Sequence, residues 1–276
     1  MSEITEGILE LEEIDLKSDE ALSQIENIIS NKLKKLPSFR VDLALNTFVI
    51  RARYLNDNTE NFYCINDLSF NPNKSNIQIG RANYQNQQIF YAATNRITAL
   101  TEIRFVNNLI GKNIAKYVFS KWEIIKPLQL VVIVDHETVQ KHNALGLLGI
   151  SDFIIQNAKD FKDNSEIADF LELYKYISKK FVEHVPAGQE FKYKITAAFS
   201  NFVYNRIPQC DGIVYQSVQY PEEFNVALKS NAIIDEKVKL HSAYRQKIRK
   251  ISETDFQECE SLISKSIDYN TFKIEW

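Results

Sequence analysis

Glycine is scarce, with seven in 276 residues, at Gly7, Gly80, Gly111, Gly146, Gly149, Gly188 and Gly212. None makes a G-x-G-x-x-G or a G-x-x-x-x-G-K pattern. Backbone cradling of a pyrophosphate at a helix N-terminus is therefore not expected, and any dinucleotide has to be held by side chains. Histidine is scarcer, at His136, His142, His184 and His241, with no H-E-x-x-H and no C-x-x-C. That argues against a catalytic metal. Cys64, Cys210 and Cys259 are an odd, widely spaced set. They read as reduced thiols of an intracellular chain, each a small buried hydrophobe. No apolar run is long enough to span a bilayer; the longest, "LVVIVD" from Leu130, is far too short. The acidic start "MSEITEGILELEEIDLKSDE" does not resemble a secretion signal, so a cytoplasmic location and no membrane partner are expected. Positive charge is not in excess either. The formal net charge of -3 argues against direct nucleic-acid binding but leaves room for a local arginine cluster on a small phosphorylated ligand.

What is present is the pattern of a sizeable globular chain. "KSDEALSQIENIISNKLKKL", 17 to 36, predicts a helix capped by Ser18 or Asp19, with Leu22, Ile25, Ile28, Ile29 and Leu33 at helical spacing and Pro37 beyond it. "FVIRARYL", 48 to 55, alternates, with Phe48, Ile50, Ala52 and Tyr54 on one face and Val49, Arg51 and Arg53 on a cationic other face. "IQIG" and "QIFYAA" predict short strands, "NPNKSN" a loop and "LQLVVIV" a buried strand. Residues 165–184 and 190–206 predict helices. "DGIVYQSVQY", 211 to 220, predicts a strand with Ser217 on the face of Ile213, Tyr215 and Gln219, and "VKLHSAYRQKI" a late strand. Strands and helices intersperse without regular βαβ spacing, which predicts an α+β fold on a mixed or antiparallel sheet.

The chemistry gathers around residues 80–105. After Asn95 an amphipathic helix is expected, with Ala99, Ile103, Val106 and Ile110 on one stripe, widened by Leu100. Glu102 falls on the flank of that stripe, partly screened from water. Taken alone it reads as a surface glutamate. Arg51, Arg81 in "GRAN", Tyr91 at a strand end and Ser217 change the weighing. Arginines bind phosphates; an aromatic ring stacks on a flat heterocycle; a lone carboxylate stabilises a positive sugar. That set suits cleavage of the N-glycosidic bond of NAD+, whose leaving group is already cationic.

The block "IQIGRANYQNQQIFYAATNRITALTEI" resembles the RES-domain family, in which a Gly-Arg-x-Asn segment precedes a strand ending in Tyr and a helix bearing Glu. "DGIVYQSVQYPEEFNVALKSNAII" resembles the family's second block, and "FLELYKYISKKFVEH" and "YKITAAFSNFVY" its preceding helices. The resemblance spans about residues 46–236. It implies an ADP-ribosyltransferase-like mixed sheet with surrounding helices, arranged as a helical N-terminal extension (1–44), a RES domain (45–245) and a C-terminal extension packed on the domain (246–276).

The resemblance also implies a site. Glu102, Tyr91 and Ser217 take the catalytic positions; Arg51 (or Arg53, close beside it), Arg81 and Asn225 bind substrate. Two departures stand out: Ala82 replaces a bulky residue after the second arginine, and Gln216 replaces the proline before the serine. Family members include intracellular bacterial toxins that deplete NAD+ and are neutralised by an Xre-type antitoxin, and others that modify a protein target. The expectation is hydrolysis or phosphorolysis of NAD+ as a substrate, with no metal or other cofactor. Mono-ADP-ribosylation of a protein target and a silent partner- or nucleotide-binding module are the alternatives. The oligomeric state is left open.

Overall fold

The computed structural model describes residues 2–33, 40–55, 62–71, 74–103, 114–142, 149, 152, 156, 164–252 and 255–276. Two helices come first: α1 (Glu3–Glu13), capped by Ser2, and α2 (Ala21–Lys32). Helix α1 lies within the helical extension expected over 1–44, although no separate helix was expected there. The cap of α2 also differs from expectation. Its N-cap is Glu20, without a side-chain cap, because the Ser18 hydroxyl is engaged by the Glu20 N–H in the preceding turn. Pro37 lies outside the described residues.

Among the described residues nine strands form one mixed sheet. They are β1 (Arg40–Leu43), β2 (Phe48–Tyr54), β3 (Ile89–Ala93), β4 (Ile114–Ile124), β5 (Leu128–Ile133), β6 (Gly212–Gln216), β7 (Phe224–Lys229), β8 (Val238–Lys250) and β9 (Phe256–Ile263). The order is β1-β5-β6-β7-β3-β2-β4-β8-β9, antiparallel throughout except for the parallel pair β5–β6. Between them come a one-turn helix α3 (Ile65–Leu68), α4 (Arg96–Thr101), α5 (His136–Lys141), α6 (Asn164–Val182), α7 (Lys194–Arg206) and α8 (Ser230–Ile234). A two-stranded ribbon, β10 (Ser266–Asp268) with β11 (Lys273–Glu275), closes the chain. The α+β expectation holds. Strand β1, in the expected extension, joins the sheet beside β5, and the expected boundary at 245 falls inside β8. Among the described residues no helix is long and apolar enough to cross a membrane.

Two features of the sheet position the site. First, β2 and β3 are register partners at a single pair, Ile50–Ala93, whereas β2 and β4 pair along the whole of β2. The sheet therefore has a weak seam between β3 and β2. Second, the face of β2 that carries the arginines looks inward. Val49 belongs to the main core, and the Arg51 guanidinium lies 5.3 Å from the centroid of the buried Phe90 ring. Ile50, Ala52 and Tyr54 instead pack on a smaller apolar cluster with Leu100, Tyr117 and Phe119. The cationic face expected of this strand is thus the one turned to the core; alternation distinguishes two faces but does not say which of them meets water.

Three local expectations also change. Residues 77–79 are not a strand; Gly80 only bridges to Asn83 across a tight turn. Helix α4 is six residues long, and Glu102 is its C-cap rather than a residue within it; Val106 and Ile110 lie outside the described residues. Strand β6 is buried at every position and ends at Gln216, so Ser217 sits in the following turn, not on a strand face. The Gln216 side-chain amide donates to the Pro221 carbonyl across that turn. A glutamine in place of proline thus adds a bond that holds the turn.

Candidate functional site

A cavity of about 420 Å³ opens at the β2–β3 seam. That is within the ~300–1,000 Å³ usual for small-molecule sites. Arg51, Arg81, Tyr91, Glu102 and Asn225 line it; Arg53 does not. Arg53 instead donates to the Ser69 and Phe70 carbonyls, which resolves which arginine of β2 faces the cavity.

Glu102 reaches the cavity because α4 is short and firmly started. The Asn95 side chain accepts from the Thr98 N–H at 2.8 Å, and Ala99, Leu100 and Thr101 are buried. One turn later the chain delivers Glu102 to the sheet face that carries Asn225. Glu102 Oε1 accepts from Ser217 Oγ at 2.7 Å and from Asn225 Nδ2 at 2.8 Å. Both donors are buried, at 1% and 3% exposure, and Oε2 has no partner among the described residues. Ser217 is itself fixed, its N–H donating to the Glu223 carbonyl and its Oγ accepting from the Tyr220 N–H. One carboxylate oxygen is therefore pinned and the other is left for a ligand.

Tyr91 does something the sequence did not announce. Its hydroxyl donates to Asn83 Oδ1 at 2.7 Å and accepts from the Ala82 N–H at 2.8 Å. Asn83 in turn donates to the Gln78 and Tyr84 carbonyls. Tyr91 thus ties the Gly-Arg-Ala-Asn turn to the sheet. Gly80 is required there by space alone: a Cβ would lie 2.5 Å from Asn83 Oδ1 and 3.0 Å from the Tyr91 hydroxyl. Burial raises the Tyr91 pKa, so the phenol stays protonated.

The two arginines are held differently. Arg51 Nη1 donates to the Tyr91 carbonyl at 2.8 Å, and its Nε is buried without a partner among the described residues. Burial lowers its pKa, with repulsion from Arg53 second. A guanidinium in that state gains from an anion placed beside it. Arg81 is only 8% exposed. It donates to the Glu183 carbonyl at 2.7 Å and, more weakly, to the Lys180 carbonyl at 3.4 Å, and its guanidinium lies 5.0 Å from the Tyr193 ring centroid. Those carbonyls close the C-terminal end of α6, the negative end of its dipole. Arg81 is a helix cap as well as a cavity wall.

The six expected site residues converge, with Ser217 placed behind Glu102 rather than at the cavity surface. Sequence reasoning missed Asn83, Tyr193 and Tyr215. Asn83 and Tyr215 lie inside the two blocks that carry the resemblance, which was the available signal; Tyr193, on a one-turn 3₁₀ segment, gave none. Among the described residues no group of three or more His, Cys, Asp or Glu side chains gathers as metal ligands would.

A half-covered carboxylate and two arginines thus meet at a cavity on the sheet seam of an α+β domain. The family model described as "RES domain" matches residues 59–246, and the chain belongs to that family. No curated protein matches the sequence. Among solved structures, a chain of the M. tuberculosis MbcT–MbcA toxin–antitoxin complex aligns over 89% of this chain and 92% of its own, with 9% identity and a TM-score of 0.33.

Proposed function

We propose that the chain cleaves the N-glycosidic bond of NAD+, releasing nicotinamide. The observation that carries this is the Glu102 carboxylate, pinned through Oε1 by Ser217 and Asn225, with Oε2 unpaired among the described residues, on the wall of a cavity that two arginines also line. As the C1′–N1 bond of the nicotinamide riboside stretches, its electron pair moves onto the ring nitrogen and neutralises the pyridinium. Positive charge develops on the ribose, and a fixed carboxylate stabilises it. Arg51 and Arg81 offset the pyrophosphate charge. Water then adds to C1′ to give ADP-ribose and a proton, or inorganic phosphate adds to give the 1″-phosphate.

In this reading NAD+ is a consumed substrate. The leaving group is activated by its own charge, so no metal is needed and turnover survives EDTA. On this reading the cellular role is that of an NAD+-depleting toxin held in check by an Xre-type antitoxin, a role that membership of the RES-domain family supports.

The test is direct. Purified chain is incubated with NAD+, with and without phosphate and with and without cell extract. Nicotinamide released in step with NAD+ loss supports cleavage. ADP-ribose as the co-product marks hydrolysis, and a phosphate-dependent co-product marks phosphorolysis. Extract-dependent labelling of a protein would move the assignment to ADP-ribosyl transfer. No nicotinamide under any condition overturns the reading.

A further inference from the structure

Tyr215 is a buried residue whose hydroxyl no group among the described residues uses. The residue is 3% exposed, yet it lines the cavity. Its ring packs against Phe181, with centroids 5.2 Å apart, which fixes the phenol in place. Its hydroxyl makes no hydrogen bond among the described residues, although that of Tyr91, on the same wall, makes two. On a residue this buried a hydroxyl is nearly always paired within the protein, so an unpaired one on a cavity wall is available to whatever enters. Tyr215 is also the register partner of Asn225, which is in turn the partner of Ala93. The three therefore stand abreast on one sheet face, and Asn225 is the residue that holds Glu102. Burial raises the Tyr215 pKa, and Tyr91 and then Glu102 add to that, so the hydroxyl remains a neutral donor.

We propose that Tyr215 is a further ligand-binding residue, its hydroxyl donating to an oxygen of the ribose held beside Glu102. The assignment rests on the NAD+ reading of the same site. A neutral donor next to a carboxylate suits a sugar oxygen: it orients the ring without adding a charge that would oppose the developing cation.

Tyr215→Phe removes one oxygen and nothing else. Because no protein group loses a partner, Tm should hold or rise. Affinity for NAD+ and for ADP-ribose, measured by calorimetry, should fall by about threefold to tenfold, the scale of one neutral hydrogen bond. Affinity for free nicotinamide, which lacks the sugar, should not change. Unchanged affinity for ADP-ribose overturns the assignment. So does a Tm drop of several degrees, which would show that the hydroxyl is bonded within the fold. These outcomes are separable from failure of the parent reading. A wild-type chain that neither binds nor cleaves NAD+ sinks both, whereas an active wild type with an indistinguishable Tyr215→Phe variant sinks only the role of Tyr215.

Discussion

The Asn225 side-chain amide donates to Glu102 Oε1 at 2.8 Å, joining a strand and a helix cap 123 positions apart in sequence. Ser217 donates to the same oxygen from the turn after the neighbouring strand. Neither donor need touch a substrate to matter; each fixes where the free carboxylate oxygen points. Asn225→Ala and Ser217→Ala should each lower kcat by about tenfold to a hundredfold, the scale of one hydrogen bond to a charged group. The double variant should lose less than the product of the two, because both act on one oxygen. Strictly multiplicative losses would show that the two residues act at separate places.

Glu102→Gln tests the carboxylate itself. Glutamine keeps the Oε1 acceptor for both donors, so the fold should be undisturbed and Tm nearly unchanged. Turnover should fall by about 10²–10³-fold, as for removal of one strong electrostatic stabiliser. Near-normal nicotinamide release from a folded Glu102→Gln chain would remove Glu102 from the chemistry.

The link from Tyr91 to the 80–83 turn predicts a stability effect rather than only a binding one. Tyr91→Phe leaves the Ala82 N–H and Asn83 Oδ1 short of a partner, at a cost of about 1–3 kcal/mol. Gly80→Ala pushes a methyl into Asn83 Oδ1 and should cost a similar ~1–3 kcal/mol. Urea unfolding reads both. If Tyr91→Phe unfolds at the wild-type midpoint, the hydroxyl is not what anchors the turn.

Much of this was legible before the structure, and what was not has identifiable causes. The strands β2, β3, β5 and β8 were readable because β-branched and aromatic residues alternate or run together. The inward face of Arg51 was not, because its neighbours Phe90 and Tyr91 come from another strand and period-2 alternation is blind to them. Ser217 was identified but placed on the wrong kind of element: the apolar run of β6 continues to the strand end, and the turn is made by bonds to Tyr220, Pro221 and Glu223 that no local pattern announces. Tyr215 was passed over because a tyrosine in an apolar strand is usually core. A hydroxyl unpaired among the described residues, on a cavity wall, is what separates it from one.

Arg81 carries the sharpest conflict between the two ways of reading the site. The sequence pointed to a phosphate clamp; the structure adds that its guanidinium closes the end of α6 through the Lys180 and Glu183 carbonyls. A helix terminus draws on the same planar fork that a phosphate would use, but an arginine has five donors and two carbonyls take only part of them. Arg81→Lys keeps the charge and loses the fork. A single ammonium cannot span both carbonyls and still face the cavity in the same geometry. The variant should therefore show two losses: a fall in stability of about 1–3 kcal/mol from the uncapped helix end, and weaker NAD+ binding in the population that remains folded. Calorimetry well below the midpoint, paired with urea unfolding, separates them. Lower stability with unchanged affinity would make Arg81 a helix cap alone. Weaker affinity at wild-type stability would make the carbonyl contacts incidental to the fold and leave the phosphate role to stand by itself.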